Sequence, residues 1–416
     1  MKILYFGSAC DQEWFDKVLK YKAMPYHVAQ YRFEMALING LSSIDDIDME
    51  IFYLYQESYY PNGKYLWFKS RVKKINNKYN IKYISGLNLP VIKELYNLFC
   101  GLFLTLKWGI KNHKESNKVI FTPFQYTPLS LGILVIAKTL KIKRVNIFTD
   151  LSSDIMNENR QPDMGWLKQL ILPYYKKLVH GLEKSYDMYV LFTETMNKKV
   201  NPAKKPYLVM EGIFNNNLDL TTLKKTKAIM YAGTLSFEYG IRLFLDAFEQ
   251  ITDEDLQLWL FGDGDMGEYI TGLCSRDSRV TFFGFRSHEE VFEYEKKATL
   301  LINTRNPEDS YTKYSFPSKT FEYMVSGTPF LTTRIGGIPG EYYQYLYIIK
   351  DYSIESVKQS IEEVLAKAQT ELDEFGQKAR EFVLENKNSE IQAKKIICVI
   401  EEVLKNKYSE ERNIDE

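Results

Sequence analysis

Short runs of apolar, β-branched and aromatic residues alternate along the chain with longer segments of helical period. In the first half the pattern predicts strands over 2–6, 49–55, 118–122, 144–149 and 188–192. After residue 225 the rhythm restarts, with strands over 228–231, 256–261, 279–283, 299–302, 329–332 and 347–349. A strand that is apolar at every position is buried on both faces, as in a parallel sheet covered by helices. Two such series predict two doubly wound α/β domains. Asn201-Pro-Ala-Lys-Lys-Pro206 and Asn215-Asn-Asn217 interrupt the pattern, so the domains are read as 1–205 and 206–385. Residues 385–406 predict a long helix with one apolar stripe, suited to packing on another domain. Residues 386–416 are therefore read as a separate helix and tail.

The most apolar stretch, 87–110, predicts a helix. Its uncharged core from Tyr96 to Leu106 is too short to span a bilayer, and Lys93, Glu94, Lys107 and Lys111 flank it. The plainer reading packs its apolar face on a sheet. The sharper reading is peripheral membrane contact through 87–111, with the lysines at the lipid surface. No secretory leader is expected from Met1-Lys-Ile-Leu-Tyr-Phe-Gly7.

Composition then removes several classes. Lys and Arg balance Asp and Glu at 54 each, so nothing global points to nucleic acid and any anion recognition is local. The four cysteines are far apart and lack zinc or disulfide spacing, which fits a reducing, cytoplasmic setting. Four scattered histidines do not build a metal centre, and no metal or other cofactor is expected.

In open α/β sheets ligands bind outside the carboxyl ends of the strands, so the residues there are the candidates. The segment from Arg305 to Pro329 reads as a loop running into a short helix. Pro317 suits its first turn, and Gly327 and Pro329 stop it. Lys319 is expected one turn inside the helix start, where free N–H groups favour an anion, with Ser318 beside it. Glu322 follows three residues on, on the same face. Arg305 faces the crevice, where an arginine binds phosphate bidentately. Gly233-Thr234 exposes backbone N–H groups after a strand, though any strand–helix turn needs a glycine. Gly262-Asp-Gly264-Asp265 reads equally as turn chemistry. Gly284-Phe-Arg286 could line a pocket for a flat base, and Ser287 with Glu290 reads as a capping box. In the first half Gly7 follows the first strand. Asp150 reads as a cleft carboxylate or an Asx-turn, and His27 as an acceptor contact or a plain helix-start residue.

Four stretches resemble retaining GT-B glycosyltransferases, specifically family 4 and its bacterial capsule, O-antigen and exopolysaccharide enzymes. They are Met230-Tyr-Ala-Gly233-Thr-Leu with Tyr239-Gly240; Leu260-Phe-Gly262-Asp-Gly264; Phe283-Gly284-Phe with Glu290; and Phe316-Pro-Ser-Lys-Thr-Phe-Glu322-Tyr-Met-Val-Ser-Gly327-Thr-Pro329 followed by Gly336-Gly337-Ile-Pro339. The resemblance is good over 226–345 and thin over 1–200. It implies two Rossmann-like domains facing a cleft, with a C-terminal helix crossing back to the first. It implies a nucleotide-diphosphate-sugar donor on the second domain and a glycan or lipid-linked glycan acceptor on the first, at the inner face of the cell membrane. Glu322 matches the second glutamate of the family's E-x7-E motif, which bonds the donor ribose. Tyr314 stands where the first is expected, and Thr234 and Tyr239 stand where the family has arginine and lysine. Arg305 and Lys319 are then the phosphate cations, as in the R…FPSK variant among polysaccharide enzymes. An inverting GT-B transferase, with Asp150 or His27 as base, and a catalytically degenerate partner subunit or nucleotide-binding protein are the alternatives.

Overall fold

The computed structural model describes residues 1–20, 28–55, 57–75, 78–123, 127–149, 151, 166–214 and 218–412. The chain divides into two compact units. The first is Met1–Ile213 with Ser389–Glu416, and the second is Phe214–Asn388.

The first unit holds β1 (Lys2–Gly7), β2 (Asp48–Tyr53), β3 (Trp67–Phe68), β4 (Arg71–Lys74), β5 (Asn80–Tyr83), β6 (Gly86–Leu87), β7 (Lys118–Thr122), β8 (Lys143–Phe148), β9 (Met188–Leu191) and β10 (Tyr207–Val209). Its main sheet runs β10-β9-β8-β7-β1-β2-β5-β4, parallel except for β4 against β5, and β3 pairs with β6 separately. The second unit holds β11 (Thr226–Ala232), β12 (Gln257–Phe261), β13 (Val280–Gly284), β14 (Ala298–Asn303), β15 (Phe330–Thr333) and β16 (Tyr347–Ile349). They form one parallel sheet in the order β13-β12-β11-β14-β15-β16.

Every strand expected from the pattern is present, with ends shifted by a residue or two. The second unit shows why they were legible. On β11, Ile229 and Tyr231 enter one core with Leu258, Leu260 and Leu300, while Met230 and Ala232 enter the other with Trp259, Phe261 and Leu301. Both faces are covered, so the strand reads as an unbroken apolar run. The strands not expected are short or lie at edges. Arg71-Val-Lys-Lys74 is an edge strand whose lysines hide it from an apolar scan. Tyr207–Val209 pairs with β9, which carries the first unit past residue 205 to Ile213.

One helical expectation holds with shifted ends and one is corrected. The long tail helix is present as Ser389–Arg412, separated from the preceding helix Gln369–Asn386 because Lys387 and Asn388 break off to pair with Phe214. The tail helix packs on the helix Val28–Ser42, within the first unit. The helix Ile92–Lys111 does not bury its apolar face. It buries Lys93, Asn97, Gly101, Thr105, Trp108 and Gly109. It lies backbone against backbone with the helix Thr127–Thr139. A methyl group on Gly101 would sit 2.5 Å from the Leu129 carbonyl oxygen, and one on Gly132 would sit 2.3 Å from that of Leu98. That approach leaves no room for large side chains at the crossing; Trp108 and Leu104 reach the core beside it, while Leu95, Phe99 and Phe103 point outward.

Glycines also set the turns of the second unit. Gly262 has φ +128°, and a methyl group there would lie 1.8 Å from the Gly233 carbonyl oxygen; Gly264 is closed in the same way by Leu235. These glycines are required by the neighbouring backbone. Gly262→Ala is expected to lower unfolding stability by about 1–3 kcal/mol. Gly267→Ala, with open space around it, is expected to be neutral or to stabilise by about 0.5–1 kcal/mol. Urea unfolding of the two variants checks the contrast.

Candidate functional site

The second sheet reverses its winding between β11 and β14, and the crevice at such a switch point is where doubly wound sheets bind ligands. Gly233 and Thr234 leave β11 on one side of it. Gly233 donates its N–H to the Phe261 carbonyl at 3.0 Å, and Thr234 is exposed. The Tyr231 hydroxyl donates to the Thr234 carbonyl at 3.1 Å and supports the turn from below. Asp265 accepts from the Ser236 hydroxyl and the Phe237 N–H at 3.0 and 3.1 Å, so it holds this loop. Among the described residues, no group of three or more His, Cys, Asp or Glu is arranged to hold a metal ion.

Arg305 leaves β14 on the other side. Its guanidinium lies 4.8 Å from the Tyr239 ring centre and 5.9 Å from that of Tyr311. Among the described residues no carboxylate forms an ion pair with it. The tyrosine faces hold the cation in place without neutralising it. Tyr239, which replaces the lysine that the family resemblance implies, thus supports an arginine instead.

The helix Lys319–Ser326 is tied to the end of β11 by Tyr323, whose hydroxyl accepts from the Ala232 N–H at 2.7 Å and donates to its carbonyl at 3.1 Å. Lys319 is the first residue of this helix, earlier than expected, with Ser318 exposed at its cap. Its ammonium lies 3.2 Å from Glu295 Oε1 and also bonds Glu322 Oε2. The other Glu322 oxygen is 3.1 Å from His288 Nε2. Glu295 is fully buried, and its Oε2 has no hydrogen-bond partner among the described residues.

The electrostatics follow from this packing. Burial works against the charge on Lys319, but Glu295 and Glu322 overcome it and raise its pKa. Burial likewise opposes ionisation of Glu322, but Lys319 and His288 win and hold it well below the usual carboxylate range. For Glu295 burial dominates. Lys319 offsets only part of it, Glu322 adds to it, and the pKa rises to about 7.

Gly233, Thr234, Arg305, Ser318, Lys319 and Glu322 therefore lie on one unit, at strand ends and on a helix tied to one of them. Arg286 lies at the start of the helix His288–Lys297, exposed and 3.4 Å from Glu290, while Ser287 caps that helix by accepting from the Glu290 N–H. Gly7 belongs to the first unit, where it seats a buried carboxylate. A methyl group there would lie 2.2 Å from Glu34 Oε2, which accepts from the Ser8 and Ala9 N–H groups at 2.7 and 3.2 Å. His27 and Asp150 lie outside the described residues. Sequence reasoning missed Glu295, His288, Tyr239, Tyr311 and Glu34 as site residues. His288 and Glu295 share a helix face at i, i+7, the one signal that could have paired them.

Residues 226–367 match the family model described as glycosyl transferases group 1. Three solved structures extend the likeness over nearly the whole chain. Sucrose-phosphate synthase from Thermosynechococcus elongatus is 15% identical over 98% of this chain and 100% of that one, with TM-score 0.60. The lipopolysaccharide outer core galactosyltransferase WaaB is 14% identical over 96% and 99%, with TM-score 0.59. Anabaena HepE, solved with UDP, is 13% identical over 98% and 100%, with TM-score 0.55. The fold is GT-B, and the match to the group 1 model lies within its second unit. No curated protein sequence matches the chain significantly.

Glu295 makes the site's contribution to stability depend on pH. Its folded pKa exceeds the ordinary 4.5, so its contribution is full below 4.5 and is lost as pH rises through about 7. Glu322, with its pKa depressed, contributes above its ordinary value and loses that contribution as pH falls. Relative to wild type, Glu295→Gln is expected to gain stability steadily between pH 4.5 and 7. Urea midpoints at several pH values read this out, and a constant gap contradicts it.

Proposed function

We propose that this chain transfers a hexosyl group from a nucleotide-diphosphate sugar to a polysaccharide or lipid-linked oligosaccharide, with retention at the anomeric carbon and without a metal, as an enzyme of capsule or O-antigen type at the cytoplasmic face of the membrane. The observation that carries the reading is Arg305. It is a cation without a carboxylate partner among the described residues, held against two adjoining tyrosine rings at the switch point of the sheet. As the bond from the anomeric carbon to the diphosphate breaks, charge grows on the leaving phosphate. Arg305 and the backbone N–H groups of Thr234 and of Ser318-Lys319 are the groups to stabilise it; the Gly233 N–H is held by the Phe261 carbonyl.

Glu322 takes the donor ribose hydroxyls. Lys319 and His288 hold that carboxylate ionised and oriented, so Lys319 acts first as a positioning residue and second as part of the phosphate field. Gly284-Phe285-Arg286 is the proposed wall for the base, with Phe285 83% exposed and open to stacking. Asp150 and His27 are proposed acceptor-side contacts. HepE is solved with UDP and with UDP-glucose, so uracil nucleotides are the first to test.

A second reading has its own support. Lys319 is engaged by two carboxylates, and Tyr314 stands in a carboxylate position, which suits a nucleotide-binding protein without turnover. Release of UDP from UDP-sugars separates the two.

Arg305→Ala is expected to weaken UDP binding by about 1.5–3 kcal/mol, the scale for hydrogen bonds to charged groups, and to leave the unfolding midpoint in place. Calorimetry that finds unchanged affinity refutes the phosphate assignment.

A further inference from the structure

The helix Ile92–Lys111 is inside out. Apart from Trp108, its buried side carries polar and small residues, while Ile92, Leu95, Phe99, Phe103, Leu106 and Ile110 are 38–64% exposed. Their spacing of three or four residues makes one continuous face along the helix. The face does not stop at the helix. The Tyr59 hydroxyl bonds Glu94, and Tyr59 lies within electrostatic reach of Tyr175 on the helix Trp166–Glu183, where Tyr174 is 75% exposed. Lysines edge this surface: Lys107, Lys111 and Lys114 at one end, and Lys177 beside Tyr174. Glu94 is the one carboxylate within the helix, and Tyr59 engages it. In a chain whose charges balance overall, this patch is apolar at its centre and basic at its rim.

We propose that this face lies in the plane of a bilayer that carries anionic headgroups. Phe99 and Phe103 enter the boundary of the acyl chains, and Lys107 and Lys111 meet the phosphates. Among the described residues no helix is long and apolar enough to cross a membrane, which fits a helix lying on the surface. Charge complementarity selects lipid over a second copy of the chain. A partner copy would have to supply carboxylates to the lysines, and the helix's own carboxylate is already bonded. The close helix pairing through Gly101 and Gly132 gives the face a rigid base, because it leaves no space at the crossing for Phe99 and Phe103 to turn inward. The proposal concerns a surface of the first unit and stands whether or not the donor assignment does.

Co-sedimentation of the full chain with vesicles of phosphatidylglycerol and phosphatidylcholine, and of phosphatidylcholine alone, tests it. Wild type is expected to bind the anionic vesicles and to be released by salt. Phe99→Ser with Phe103→Ser, and separately Lys107→Glu with Lys111→Glu, should each weaken partition at least about tenfold. Both pairs are at exposed positions, so circular dichroism and unfolding midpoints should not move. Absence of wild-type binding, or equal binding by both double variants, overturns the proposal. So does a concentration-dependent dimer, abolished by the phenylalanine changes, in a protein that ignores vesicles; that result gives the face to a second copy.

Discussion

A half-buried lysine paired with two carboxylates is not a free cation. Lys319 is in that position, and the arrangement of the site follows from it. The ammonium fixes Glu322 as an ion, His288 fixes the other oxygen, and Glu295 closes the set from below. Removing one partner from a buried ion pair costs about 3–5 kcal/mol, because the others are left uncompensated. The cluster therefore behaves as one structural unit that presents a carboxylate edge. Under the proposed reading the cationic work at the switch point falls chiefly to Arg305, which lies against two tyrosine rings.

Backbone contacts supply the remaining precision. The Gly233 and Gly262 turns touch through main-chain atoms, and Tyr323 pins the Lys319 helix to the end of β11. The first is main chain throughout, and the second rests on a tyrosine that is itself buried. The N–H groups of the first turn, the guanidinium and the helix start are thus carried by β11, β14 and a helix bonded to β11, and little reorganisation is needed to receive a charged ligand.

Much of this was legible in the chain because burial on both sheet faces writes an unbroken apolar run, as at β11 and β14. Edge strands such as Arg71-Val-Lys-Lys74 leave no such run. Within the site, Lys319 and Glu322 could be paired because three residues separate them on one helix. Glu295 and Lys319 could not, since their contact crosses two helices and only the packed structure brings them together. Gly7 is an instructive case: its position after a strand suggests a ligand turn, whereas Glu34, a residue on a later helix, already occupies the N–H groups there. The helix Ile92–Lys111 marks the limit of periodicity. The spacing of Leu95, Phe99 and Phe103 says that they share a face. Only the backbone approach of Gly101 to Leu129 decides that this face is outside.

The central claim is that a nucleotide diphosphate seats at the switch point of the second sheet. Hydrogen–deuterium exchange with and without saturating UDP tests it most directly, because it reports backbone N–H groups one segment at a time. The account predicts slower exchange at 233–240 and at 305–320, with no change at Ser8 and Ala9, whose N–H groups Glu34 holds. Protection confined to the first unit, or none in a protein that calorimetry shows to bind UDP, would contradict it.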